Sequence, residues 1–395
     1  MKYDFTTVLD RHGRDSLAFD KIPFAGVQPD EGFDTIPMWI ADMSFVAAPP
    51  AMEAILKRME MPNFGYFALP DEYFDSIINW QRKRNGVEGL LPEHIGYENG
   101  VLGGVSSAVQ SFTSPGDKIL IHSPTYVGFT HTMDDTGRVI VHSELKRDEN
   151  GIWRMDYEDM DRKIKENNIH FAIFCSPHNP CGRVWERWEI EQAMALYKKY
   201  DVMVVSDEIW SDILLTGYCH IPTQSVSEDA RSRTVALYAP SKTFNLAGCQ
   251  NSFAIIPDPD IRRRFDGFVE GIRIHGGNPF GYVAVEAAYR GGRQWFEQVR
   301  DIIYGNYEYV RDSLKKSLPG AVVSPLEGTY LLWIDFGAYL PASEIKSFME
   351  DKCGLAFDYG DWFGGERFGT HIRMNLATSR ELVEKAVNSI ISNLK

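Results

Sequence analysis

Four short apolar runs frame this chain: Lys118-Ile119-Leu120-Ile121, Phe171-Ala172-Ile173-Phe174, Val202-Met203-Val204-Val205 and Val235-Ala236-Leu237-Tyr238. Each is continuous rather than alternating, the pattern of a strand buried on both faces. Between the second and third, Glu189 to Tyr200 places Ile190, Ala193, Leu196 and Tyr197 at helical spacing. Alternating strands and helices predict a mainly parallel sheet covered by helices on both faces. Ligands of such sheets sit beyond the carboxyl ends of the strands, so the residues just after each run are the candidates for chemistry.

The texture changes near residue 290. Leu331-Leu332-Trp333-Ile334 and His371-Ile372-Arg373-Met374 read as strands, while Ser343 to Asp351 and Ser379 to Leu394 read as helices. The expectation is an α/β protein with a large domain over 46–289 and a smaller α+β C-terminal domain over 290–395. Residues 1–45 carry little regular pattern and are expected to pack on the smaller domain. No repeat, low-complexity tract or Gly/Ser linker interrupts the chain.

Composition narrows the class. A length of 395 residues suits two domains, and 44% hydrophobic with 24% charged residues is the balance of a globular protein. With 41 basic and 55 acidic residues the net charge is -14, which argues against nucleic acid as a partner. No apolar run reaches membrane-spanning length, and the start Met1-Lys2-Tyr3-Asp4-Phe5-Thr6 lacks the apolar core of a signal peptide, so a cytoplasmic protein is expected. The five cysteines show no CxxC pair, so neither a disulfide framework nor a metal site is expected.

The strand ends deliver Tyr126 (in Ser123-Pro124-Thr125-Tyr126), Asn179 (in Ser176-Pro177-His178-Asn179-Pro180), Asp207 (in Ser206-Asp207-Glu208) and Lys242 (in Ala239-Pro240-Ser241-Lys242). Upstream, Asn99-Gly100-Val101-Leu102-Gly103-Gly104 opens a helical pattern. Singly, each has an ordinary use. An aspartate after a strand caps a helix, an asparagine between prolines turns the chain, and a lysine is solvated. The glycine-rich turn lacks the Gly-Lys-Ser/Thr ending of a nucleotide P-loop. Together, in this order along one sheet, they meet the needs of pyridoxal 5'-phosphate. Its aldehyde needs a lysine, its ring nitrogen a buried carboxylate, its ring face an aromatic shelf, and its phosphate free N–H groups at a helix N-terminus. Lys242 is therefore the candidate catalytic residue, and Val101, Leu102, Tyr126, Asn179, Asp207, Ser241 and Lys242 are candidates for holding the cofactor.

With these residues in place the sequence resembles the fold-type I pyridoxal-phosphate enzymes, within the class I/II aminotransferase superfamily, and among them the cystathionine β-lyase/cysteine C–S lyase branch of cystalysin-like proteins. The resemblance runs almost end to end, through Trp39-Ile40-Ala41-Asp42-Met43, Phe64-Gly65-Tyr66, Gly182-Arg183-Val184-Trp185, Ser241-Lys242-Thr243-Phe244-Asn245-Leu246-Ala247-Gly248, Glu327-Gly328-Thr329-Tyr330 and Arg373-Met374-Asn375-Leu376. It implies that Arg373 forks onto the substrate α-carboxylate, and that Tyr66 crosses a homodimer interface to the partner's cofactor phosphate. It also implies β-elimination of L-cystathionine or related cysteine S-conjugates to pyruvate, ammonia and a thiol. An aminotransferase acting on an L-amino acid would use the same residues. A degenerate cofactor-binding regulator would show damage at Lys242, Asp207 or Arg373, and all three are intact.

Some positions depart from the pattern. Gln250 stands where the wider superfamily often has arginine, and Ala239 where it often has serine; both are expected features of the lyase branch. Trp210 replaces a frequent histidine, Thr378-Ser379 a small residue plus proline, and Arg273 to Asn278 is unlike its counterparts. These last three are expected to lie outside the cofactor chemistry and to bear on substrate choice.

Overall fold

The computed structural model describes residues 2–20, 35–274 and 276–394. Part of the N-terminal segment, 21–34, and His275 of the unusual 273–278 stretch lie outside the described residues.

Two helices, α1 (Pro49–Met59) and α2 (Asp71–Asn85), precede a seven-stranded sheet. Its strands are β1 (Ile95–Glu98), β2 (Lys118–Ser123), β3 (Val139–Glu144), β4 (Phe171–Cys175), β5 (Met203–Asp207), β6 (Thr234–Tyr238) and β7 (Ser252–Ile255). They lie in the order β1-β7-β6-β5-β4-β2-β3, and only β7 runs against its neighbours. Every residue of β4 and β6 is buried, as continuous apolar runs require when both sheet faces are covered. Three clusters do the covering, one of them closing over Ala236 and Tyr238 of β6 and Phe253 and Ile255 of β7. Val105, Val109, Ile121, Ile173, Val205 and Leu237 pack on one face, and Leu120, Ala172, Phe174, Ile190 and Val204 on the other.

The helices that matter for the site are α3 (Val101–Phe112) and α4 (Val127–Asp135), which leave the carboxyl ends of β1 and β2. Helix α5 (Arg187–Lys199) connects β4 to β5 over the segment read as helical from its spacing. Beyond β7, α6 (Pro279–Gly291) packs on α1 and α2, and the 25-residue α7 (Arg293–Ser317) leads into a second sheet. That four-stranded sheet is antiparallel: β8 (Val322–Val323), β9 (Leu331–Asp335), β11 (His371–Asn375) and β10 (Asp358–Tyr359) in spatial order. A terminal helix, α8 (Arg380–Leu394), packs against α7. The stretch read as a helix from Ser343 to Asp351 is a short α-helix, Ala342–Ser347, that widens into a π-turn over Phe348–Lys352. Upstream, Ile36–Pro37 pairs in parallel with Leu355–Ala356, which ties the N-terminal segment to the C-terminal part. No helix among the described residues is long and apolar enough to cross a membrane.

Candidate active site

Lys242 follows β6 through Ala239-Pro240-Ser241, so its position is fixed by a strand with no exposed residue. Its Nζ donates to the Ala41 carbonyl at 2.7 Å and lies 5.7 Å from the Trp210 ring. Burial lowers the amine to about 8, and the nearby Arg373 charge adds to the effect. A lysine so placed is neutral in a useful fraction at physiological pH, which an ordinary surface lysine is not.

Asp207 ends β5, one strand over, in register with Leu237 of β6 and Cys175 of β4. Its Oδ1 accepts the Ile209 N–H at 3.0 Å. Burial pushes the carboxyl up to about 7, while that hydrogen bond and the Lys242 charge pull it down. A cation against Asp207 would return it to the anion, so the carboxylate form expected at this position depends on a positive group beside it.

Arg373 projects from β11 of the second sheet and is buried. Its Nη1 donates to Asn179 Oδ1 at 3.0 Å and its Nη2 to the Trp39 carbonyl at 3.2 Å; Nη2 also pairs with the Asp358 carboxylate. The guanidinium lies 4.9 Å from the Phe363 ring, and its buried Nε has no partner. Asn179, from the loop after β4, thus joins the two sheets through Arg373.

The glycine-rich turn becomes the start of α3. Gly100 caps it at φ +75°, a conformation that favours glycine, and the first intrahelical bond runs from Gly104 N to Gly100 O at 3.1 Å. The N–H groups of Val101, Leu102 and Gly103 therefore precede the helical ladder, as an anion-binding N-terminus requires. Tyr126 caps α4, edge-on to Phe129, within electrostatic reach of Asp207 and Arg373. A Cβ on Gly128 would come within 2.5 Å of the Tyr126 ring and 2.7 Å of the Leu102 side chain, so the absence of a side chain there keeps the Tyr126 shelf and the α3 N-terminus together.

Pyridoxal phosphate fits this set. Helix N–H groups, an aromatic ring, a buried carboxylate and a partly neutral amine converge at the carboxyl ends of neighbouring strands. Ser241 lies beside them, half-buried next to Lys242. Tyr66 does not join them within one chain: it is fully exposed in the loop between α1 and α2. Among the described residues no group of His, Cys, Asp and Glu is arranged to hold a metal ion.

Two contributors appear in the sequence reading only as part of a motif and as a departure from one, without the role the structure gives them. The segment Trp39 to Asp42 threads between the sheets: Ala41 O also accepts Tyr330 Oη at 2.9 Å, and Asn375 Nδ2 donates to the Ile40 and Asp42 carbonyls, each at 2.7 Å. Because the contacts are made by backbone carbonyls, no side-chain signal marks them. The second is a correction. Trp210, expected outside the cofactor chemistry, borders the Lys242 amine and packs edge-on against Tyr330, ring centres 4.7 Å apart. It follows β5 by three residues, so the same strand end that aims Asp207 also delivers the indole.

The fold and this constellation define a class, and the comparisons agree on it. The chain belongs to the aminotransferase class I and II family, whose model matches residues 47–390. More particularly, it is 35% identical to the Bacillus subtilis cystathionine β-lyase PatB over 96% of this chain and 97% of that protein. Its structure is similar to that of Treponema denticola cystalysin, which contains pyridoxal 5'-phosphate, with a TM-score of 0.95 and 32% identity covering 100% of this chain and 99% of the other. A pyridoxal-phosphate-bound C–S lyase from Staphylococcus hominis gives a TM-score of 0.90 and 30% identity, covering 99% of each chain.

Proposed function

We propose that this protein is a pyridoxal-phosphate-dependent carbon–sulfur β-lyase that cleaves L-cystathionine or related cysteine S-conjugates to pyruvate, ammonia and a thiol. The observation that carries the chemistry is the Lys242 amine, lowered to about 8 by burial and by Arg373, at the end of a strand beside Asp207. The likeness to PatB and cystalysin favours elimination over transamination, since the residues themselves serve both.

The cofactor, when bound, supplies an electron sink for the charge left by loss of the Cα proton. Val101 and Leu102 would hold its phosphate through their N–H groups, Tyr126 and Asn179 its ring, and Asp207 its ring nitrogen as the paired carboxylate; Ser241 would assist. Arg373 binds the substrate carboxylate. Asn179, Asp358 and the Trp39 carbonyl fix its plane and leave the Nε hydrogen and one Nη1 hydrogen as donors. Lys242, neutral in part, accepts the Cα proton, and its ammonium is then the nearest acid to protonate a departing thiolate. Trp210 and Tyr330 wall this amine and limit water around it.

Beyond the single site, the proposal includes a homodimer acting in the cytoplasm, with the chain divided into lobes over 46–289 and 290–395. The test of function is to incubate purified holoenzyme with cystathionine, cystine and S-methylcysteine without any keto acid. Pyruvate with an equal amount of free thiol, or of persulfide when the substrate is cystine, supports the lyase. Turnover that requires an added keto acid overturns it in favour of transamination.

A further inference from the structure

An opposite-charge pair stands one residue from the carbonyl that holds Lys242. Asp42 follows Ala41, and its carboxylate accepts both ends of the Arg11 fork, Nη1 to Oδ2 at 2.8 Å and Nη2 to Oδ1 at 3.3 Å. Neither partner is sealed: their side chains keep 22% and 24% of their exposure. Arg11 rests 5.0 Å from the Phe19 ring, and Trp39 Nε1 donates to the Ala18 carbonyl at 3.2 Å, so the segment carrying Arg11 is pinned over the 39–42 strip. Asn375 fixes the strip from below through the Ile40 and Asp42 carbonyls.

The charges reach the centre. Burial and Arg373 lower the Lys242 amine, and Asp42 opposes them by raising it. The Arg11 Nε is buried without a partner, while Nη1 and Nη2 each give one hydrogen to Asp42 and keep a second, so the partly exposed guanidinium retains donors. A carboxylate and a guanidinium side by side, each with capacity left, are complementary to a group carrying both an ammonium and a carboxylate on one carbon. Arg373 already accounts for one carboxylate, that of the carbon being deprotonated.

We propose that Arg11 and Asp42 recognise a second amino-acid end on the substrate, so that the enzyme prefers conjugates whose leaving thiol is itself an α-amino acid. Arg11 takes the distal carboxylate and Asp42 the distal ammonium, with Arg373 and Lys242 working on the near end. This rests on the β-lyase reading above and narrows it to bis-amino-acid thioethers and disulfides. Simple S-alkyl cysteines would be handled without the pair. The bland alternative is a strap that only fixes the N-terminal segment, which would serve all substrates alike.

The test compares wild-type holoenzyme with Arg11→Gln and Asp42→Asn on L-cystathionine and S-methyl-L-cysteine. Loss of a hydrogen bond to a charged group predicts a roughly 10- to 100-fold fall in kcat/KM for cystathionine, mostly through KM, with a change of no more than about threefold for S-methylcysteine in Arg11→Gln. Asp42→Asn also removes a charge that raises Lys242, so its readout is the same fall in the ratio of the two kcat/KM values. Equal losses on both substrates, or no loss on either, overturn the proposal. A second readout needs no turnover. Wild-type holoenzyme should bind 2,7-diaminosuberate, the all-carbon counterpart of cystathionine, more tightly than L-norvaline, the counterpart of S-methylcysteine. Both variants should erase that preference, and a preference that survives in them refutes the assignment. Should Arg11→Gln fail to fold, Arg11→Lys keeps the charge without the fork and should lose the preference in part. If the wild type releases pyruvate from neither substrate, the lyase reading itself falls, while the two binding measurements still decide the pair.

Discussion

A lysine amine is ordinarily an ammonium near neutrality and has no lone pair to offer. At Lys242 burial and the Arg373 charge lower that obstacle, while the Ala41 carbonyl aims the nitrogen. Lys242→Ala should therefore abolish pyruvate release while leaving a folded protein, judged by circular dichroism; undiminished turnover would remove Lys242 from the chemistry. Asp207 is the complementary case. Burial pushes its carboxyl up to about 7 even against the Ile209 hydrogen bond and the Lys242 charge, so its anionic form and a cationic ring nitrogen stabilise one another. Asp207→Asn keeps shape and hydrogen-bonding capacity but loses that charge. Its kcat should fall by at least about 100-fold, the scale of a central electrostatic contribution. A near-native kcat in the variant would mean that another group pairs with the ring.

At the scale of elements, what could be read from the sequence was what the backbone period controls. Strands β2, β4, β5 and β6 lie where the continuous apolar runs place them, and their ends carry Tyr126, Asn179, Asp207 and Lys242 into one region. Strands β1, β3 and β7 left weaker traces. Two of them are four residues long, and β3 is an edge strand with one buried residue, so neither supplies a long apolar run. The contribution of Trp39 to Asp42 was hidden for another reason: carbonyl oxygens are the same in every residue, and only the fold shows which ones face Lys242, Tyr330 and Arg373. Gly128 belongs to this class of silent position. It has no side chain, yet a Cβ there would sit 2.5 Å from Tyr126 and 2.7 Å from Leu102. Gly128→Ala should displace one of these two proposed cofactor contacts at the overpacking cost of about 1–3 kcal/mol. Titration of the apo-protein with pyridoxal phosphate should show roughly five- to hundredfold weaker binding by the same conversion. An unchanged dissociation constant would mean that α3 and the Tyr126 shelf do not meet the cofactor together.

At the scale of the whole molecule, the unfinished part is Tyr66. Its side chain is fully exposed, and Leu56, Met59, Met61 and Phe64 beside it are exposed as well. A monomer seldom exposes so many large apolar side chains within one short segment, and a second copy of the chain is the simplest cover. The loop is not loosely held: Phe64 packs against Phe280 with ring centres 5.6 Å apart, and Phe67 stacks on Tyr282 at 5.4 Å, both at the start of α6. A twofold contact through this face would present each Tyr66 to the other subunit and create two composite sites. Mixing two impaired variants tests this directly. Tyr66→Ala retains Lys242, and Lys242→Ala retains Tyr66, so a hybrid dimer would contain one site with both residues intact. If Tyr66→Ala is itself of low activity, free exchange of equal amounts should restore about a quarter of the wild-type rate, because half the dimers are hybrids with one good site of two. Exchange demonstrated by differently tagged subunits but without recovered activity, or a stable monomer of full activity, would place Tyr66 outside the site.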